Sequence, residues 1–170
     1  SIYLAKLRPN ITIYAYEPIP DNFHHFQKNI AANGVTNIHL FNQAVTNDGR
    51  SLLMTVNFKH NSGGATATWE PTNLGSDNYV EYPVESTTLN SIFETYKIDR
   101  CRLLKIDCEG SEYEILLNSS KLPFIDYLSA EFHTNEHLST KGFNPQMLYE
   151  HCCHYIPAEN ISYMTWDIPG

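Results

Sequence analysis

The chain has 170 residues, 42% of them apolar and 18% charged. That excludes a disordered tail and fits one globular domain able to bury about 70% of its unfolded surface. A net charge of −8 argues against a nucleic-acid backbone or an anionic membrane as the main partner, but not against a small nucleotide-like ligand.

No apolar run reaches the ~18 residues of a membrane span, and no signal peptide is visible. The four cysteines, Cys101, Cys108, Cys152 and Cys153, form no CxxC pair. A disulfide framework is therefore not expected, and a reducing, cytoplasmic setting is the default. Without a secretion signal, the glycosylation-type triplets at Asn10, Asn118 and Asn160 are read as chance. The chain opens on Ser1 inside what reads as a helix and stops abruptly at Gly170. The expectation is a single domain over 1–170, truncated at both ends.

In chain order, Ile2, Leu4, Ala5 and Leu7 suit the second half of a helix ended by Arg8-Pro9. Ile11 to Tyr16 is a continuous apolar and β-branched run, read as a buried parallel-type strand closing on Glu17-Pro18. Asp21 or Asn22 is placed to cap a helix whose apolar face is Phe23, Phe26 and Ile30 and which Gly34 stops. Ile38 to Phe41 begins the next strand, leaving through Asn42-Gln43-Ala44-Val45 to a turn at Asn47-Asp48-Gly49. Helix, strand, helix and strand on short links imply βαβ units and a parallel sheet.

Ser51 to Phe58 alternates as an edge or hairpin strand would, and Val80 to Ser86 reads as an extended return. Between them, His60 to Tyr79 is rich in Gly, Ser, Thr and Asn and reads as a functional loop or lid. Thr88 is placed to cap a helix carrying Leu89, Ile92, Phe93 and Tyr96.

The run Leu103-Leu104-Lys105-Ile106-Asp107-Cys108-Glu109-Gly110-Ser111-Glu112 carries the most chemistry. It reads as a buried strand, a tight acidic turn and a helix whose apolar face is Tyr113, Leu116 and Leu117. Acids at the carboxyl end of a strand stand where open α/β sheets bind ligands. The bland reading is solvation plus helix capping, with Glu112 and Glu114 favouring the helix N-terminus. Tyr127 to His133 is the next strand and closes on Glu131-Phe132-His133; Asn144-Pro145 starts a last helix. The tail from Ile156 is ambiguous.

Four strand ends then line up: Glu17-Pro18, Gln43-Ala44-Val45, Lys105 to Gly110, and Glu131-Phe132-His133. With YEPIPDNFHHFQKNIAANG (16–34), NQAVTNDG (42–49), TTLNSIF (87–93), LLKIDCEGSEYEIL (103–116) and AEFH (130–133), they resemble the FkbM family of S-adenosylmethionine-dependent methyltransferases from Ser1 to about Leu148. The resemblance implies an α/β fold: a Rossmann-like class I methyltransferase sheet, three-layer α/β/α, mostly parallel, incomplete at the N-terminus. It implies S-adenosylmethionine as cofactor and a small-molecule acceptor, a sugar or secondary metabolite, methylated on a hydroxyl; N-methylation stays open.

By the same resemblance Glu17, with Pro18, accepts hydrogen bonds from the cofactor ribose, and Gln43 and Ala44 contact the adenine. Asp107 stands nearest the transferred methyl, with Glu109 beside it. Glu131 and His133 are the matching pair on the adjacent strand, His133 being the general-base candidate because its ordinary pKa suits proton removal near neutrality. Trp69 and Tyr79 of the loop are read either as packing on a ring-shaped acceptor or, equally, as ordinary cover for the core. The resemblance calls for a strand and glycine-rich loop before Ser1, which the numbered chain lacks. The expectation is weak or no cofactor binding by the chain as it stands.

A non-catalytic α/β binding module is the alternative. A zinc hydrolase using His133, Glu136 and His137 of an H-x-x-E-H run is another. It requires both histidines on one helix face, whereas His133 ends an apolar strand. His151-Cys152-Cys153-His154 is too tightly spaced to surround one ion and reads as helix-end packing. A divalent ion at Asp107, Glu109 and Glu131 is compatible with the residue types, but the spacing does not require one and no metal ligand is assigned.

Overall fold

The computed structural model describes residues 1–57, 65–67 and 79–167. The chain divides into two compact units, one formed by Ser1–Val45 and Gly49–Ser86, the other by Thr46–Asp48 and the chain from Thr87 onward.

The first unit opens with α1 (Ile2–Leu7), β1 (Ile13–Tyr16), α2 (Pro20–Asn33) and β2 (Ile38–Phe41). β1 and β2 are parallel, with Ile13 opposite Ile38 and Tyr16 opposite Phe41. The connection through α2 is the expected βαβ unit. α2 covers the protein with Phe23, Phe26 and Ile30, each half-buried as the periodicity predicts. Its start differs from expectation. The N-cap is Ile19, without a side-chain cap bond, and Pro20 is the first helical residue. Proline there has no orphan N–H of its own to satisfy and has its φ already set. Asp21 instead accepts a hydrogen bond from the Tyr82 hydroxyl at 3.2 Å.

Then follow β3 (Ala44–Thr46), β4 (Leu52–Asn57), β5 (Ala65–Ala67), β6 (Tyr79–Val84) and β7 (Ser86–Thr88). β4 lies between β5 and β6, antiparallel to both, so the alternating segment is a hairpin strand as its pattern suggests. Met54, Val84, Ile19 and Ala44 form this unit's core cluster, flanked by Leu52 and Tyr82. β3 pairs with β7. Most of the loop from His60 to Tyr79, Trp69 included, lies outside the described residues.

The second unit holds α3 (Leu89–Thr95), β8 (Cys101–Asp107), α4 (Glu112–Leu117), β9 (Ile125–Thr134), α5 (Glu136–Thr140), α6 (Pro145–Cys153) and β10 (Ile161–Asp167). Thr88 caps α3 by accepting from the Ser91 N–H at 2.9 Å. Asn144 caps α6 through Met147 N–H at 2.9 Å. β9 is the middle strand of a parallel sheet in the order β10-β9-β8. The ambiguous tail is therefore a strand.

Tyr113, Leu116, Leu122, Leu128, Phe132, Leu148, Cys152 and Ile156 are almost wholly buried and make this unit's core. β8 is less buried than its apolar run predicts, and Leu103 is 43% exposed. The reason is position: β8 is paired only with β9 among the described residues, so the outward half of its side chains lacks cover. The architecture is mixed α/β with small, mostly parallel sheets. One continuous three-layer sheet is not what the described strands form. No helix among the described residues is long and apolar enough to cross a membrane.

Candidate active site

β8 and β9 run parallel in a register that sets Asp107 opposite Glu131. Side chains alternate across a strand, so Lys105 and Asp107 share one face, and Glu131 and His133 share the matching face of β9. Two carboxylates opposite one another repel. Lys105 relieves this: its Nζ lies 3.1 Å from Asp107 Oδ2 and 3.6 Å from Glu131 Oε1.

The chain then turns. Glu109 takes φ +49°, the left-handed region that side chains other than glycine's rarely adopt, and Gly110 takes φ +105°. Glu112 holds this turn closed. Its Oε1 accepts from the Cys108 N–H at 2.7 Å and its Oε2 from the Gly110 N–H at 2.9 Å. Glu112 has no exposed surface. The same Oε1 lies 2.9 Å from His133 Nδ1. The sequence reads Glu112 as an acid favouring the helix N-terminus; in the structure its carboxylate folds back into the turn and onto the neighbouring strand. A carboxylate oxygen already accepting from N–H groups sets the tautomer of its histidine partner: Nδ1 carries the proton and donates.

His133 is buried, 5% exposed, and its Nε2 points towards Glu109 Oε2 at 3.6 Å. Burial pushes the imidazole pKa down. The Glu112 hydrogen bond and charge, with Glu109 and Asp107, outweigh burial and raise it above 6.5 overall. Burial raises the Glu109 carboxyl above 4.5; His133 opposes this while Asp107, Glu112 and Glu131 add to it. Cys108 beside the turn is a thiol pushed up to about 12 by burial and by the Glu112 charge, so it is no nucleophile.

Asp107, Glu109, Glu131 and His133 therefore meet in one place, with Glu112 and Lys105 as residues that the sequence reading did not assign to the site. The hint of Glu112 was its place in the D-x-E-G-x-E run, but an acid in the first turn of a helix looks the same whether it caps or reaches back.

The other predicted residues belong to the first unit. Glu17 follows β1 directly, its N–H bonded to Phe41 O. One carboxylate oxygen accepts from the Ile19 N–H at 3.0 Å. Burial raises the Glu17 carboxyl above 4.5, against the Ile19 N–H and the Asn22 side chain. Asn42 donates to the backbone carbonyls of Glu17 and Pro18, both at 2.9 Å, and so fixes this strand end against the end of β2. Gln43 is half-buried. Ala44 is spent in the core cluster with Ile19, Met54 and Val84.

The H-x-x-E-H run does not form a zinc-hydrolase helix. His133 lies in β9, while Glu136 and His137 lie in α5, and His137 is exposed. Cys152 is fully buried in α6, its thiol raised to about 12 chiefly by burial, and His154 Nδ1 bonds back to Glu150 O at 2.8 Å. These are packing and helix-end residues, and all four cysteines are free thiols.

Parallel βαβ units with acids at the carboxyl ends of their strands form an α/β arrangement of the kind whose ligands bind at those ends. The family model described as Methyltransferase FkbM domain matches residues 2–145. The chain belongs to this family, and its general class is that of a methyltransferase. No match was found among curated proteins or among solved structures.

Proposed function

We propose that this protein transfers a methyl group from S-adenosylmethionine to a hydroxyl of a small acceptor, a sugar or secondary metabolite. The observation that carries this reading is the buried Glu112–His133 pair opening onto Asp107, Glu109 and Glu131 at the carboxyl ends of two parallel strands. Each unit offers a group of suitable type on its own: in the first, the Glu17 carboxylate suits a vicinal diol; in the second, the Asp107 carboxylate suits a positively charged group. When bound, the cofactor supplies an electrophilic methyl on a sulfonium.

The chain supplies the rest. Glu112 holds Nδ1–H of His133 and stabilises positive charge on the ring, the logic of a carboxylate–histidine pair. Nε2, 3.6 Å from Glu109 Oε2, draws off the acceptor's hydroxyl proton. The raised His133 pKa makes the ring a stronger base, charged for longer as pH rises.

Titration of S-adenosylhomocysteine into the full chain tests the cofactor half. Glu17→Ala is expected to weaken whatever affinity the protein shows by about tenfold or more; unchanged affinity in that variant removes Glu17 from the ribose role. Transfer of a labelled methyl to a panel of hydroxyl compounds tests the other half. His133→Ala is expected to lower turnover while leaving cofactor affinity largely intact. Equal loss of both sinks the base assignment.

A further inference from the structure

One carboxylate oxygen each from Asp107 and Glu109 and one ring nitrogen of His133 lie within 4.8 Å of one another. Three ligand atoms at about 2.0–2.3 Å from a common ion stand on average at most about 4.0 Å apart, so the groups have to close by up to about 0.8 Å around one cation. Acidic clusters are common without ions, so the histidine decides. Its side chain is 6% exposed, and Nδ1 is committed to Glu112 at 2.9 Å. Among the described residues the group found near Nε2 is Glu109 Oε2, at 3.6 Å, beyond hydrogen-bond range. With the proton on Nδ1, the lone pair sits on Nε2, the ring nitrogen beside Glu109. Metal-ligating histidines are oriented this way: the far nitrogen donates to a carboxylate, which sets the tautomer and raises the basicity of the near one.

We infer that Asp107, Glu109 and His133 bind a divalent cation, with Glu112 as the carboxylate that orients the histidine ligand. Two oxygens and one imidazole nitrogen suit ions such as Mn²⁺ or Fe²⁺ that accept both ligand types. Three protein ligands leave positions open for water or for an acceptor hydroxyl, whose proton a bound cation makes easier to remove. The role rests on the methyltransferase reading, and it changes how His133 acts: the ring holds the ion that acidifies the hydroxyl instead of taking the proton itself. Glu131, opposite Asp107, remains as the carboxylate able to receive that proton. The binding itself does not depend on that reading.

The test uses the full chain stripped with EDTA and titrated with Mn²⁺ alone, without methyl donor or acceptor, followed by electron paramagnetic resonance. One equivalent bound, with nitrogen coupling from an imidazole in the pulsed spectrum, is expected. Glu109→Gln, a change at a partly exposed position, is expected to weaken binding at least tenfold, and Glu112→Gln by about 10–100-fold as an outer partner. His133→Ala is expected to abolish the nitrogen coupling. Absence of binding at millimolar Mn²⁺, or binding without nitrogen coupling, would overturn the inference. Because S-adenosylhomocysteine binding is measured separately, loss of metal binding leaves the cofactor result untouched, and the reverse holds.

Discussion

Replacing Glu112 by Gln is the sharpest probe of the turn. The change keeps shape and volume but converts one acceptor oxygen into a donor. Oε1 serves both Cys108 N–H and His133 Nδ1–H, so the amide oxygen should take that place and its NH₂ should face the Gly110 N–H. That leaves one buried N–H unsatisfied, costing about 1–3 kcal/mol. The two remaining bonds change from charge-assisted to neutral, at about 1 kcal/mol each. The total is about 3–5 kcal/mol. With a urea slope of about 2 kcal/mol/M, the unfolding midpoint should fall by about 1.5–2.5 M. Equilibrium urea unfolding followed by circular dichroism reads this directly. Glu159→Gln, at an exposed position, is the control and should stay within about 0.5 kcal/mol. A Glu112→Gln shift below about 1 kcal/mol would refute the argument, because it would mean that the carboxylate is solvated or differently bonded.

Two further predictions concern the same unit. Gly110→Ala forces a Cβ onto φ +105° and should cost about 1–3 kcal/mol in urea unfolding; a neutral result would mean that the turn relaxes readily. Asp126 accepts from Arg100 Nε at 2.6 Å and Arg102 Nη1 at 3.1 Å, and the Arg100 bond in particular holds its carboxyl below the ordinary 3.8. A depressed folded-state value means that this contribution is complete above 3.8 and is lost as pH falls through the lowered value. The melting-temperature gap between wild type and Asp126→Asn should therefore be flat near neutrality and close in acid; a gap that widens in acid would contradict it.

The parts of the fold legible in the sequence are those fixed locally. Thr88 and Asn144 announce their helices because a cap acts within three residues, and the 20s helix shows its half-buried face in Phe23, Phe26 and Ile30. β10 is not marked by a clean apolar stripe, because Ser162, Met164, Thr165 and Trp166 are exposed. β8 is less buried than its residue types imply for a related reason: Leu103 has the residue type of a core strand but not its neighbours. The candidate site splits the same way. Asp107, Glu131 and His133 are visible as polar residues ending apolar runs. Glu112 gains its role from a partner 21 positions away, and spacing within the turn does not carry that information. Asp21 and Asn22 are good cap residues, but α2 starts earlier, at Pro20, so both lie inside its first turn and neither stands at the N-cap.

The pairing of β8 with β9 does more than close a sheet. Asp107 meets Glu131 because seven residues from Cys101 to Asp107 are laid residue by residue against β9 from Ile125. The strand pair is a ruler, and the reactive groups are marks at its far end. Inserting or deleting one residue anywhere in β8 would send Lys105 and Asp107 to the opposite face, separating them from Glu131 and His133 while leaving every one of these side chains in the protein. The site is thus specified by counting along a strand as well as by the identity of its acids, and a length change far from the turn would erase it as completely as substituting the acids themselves.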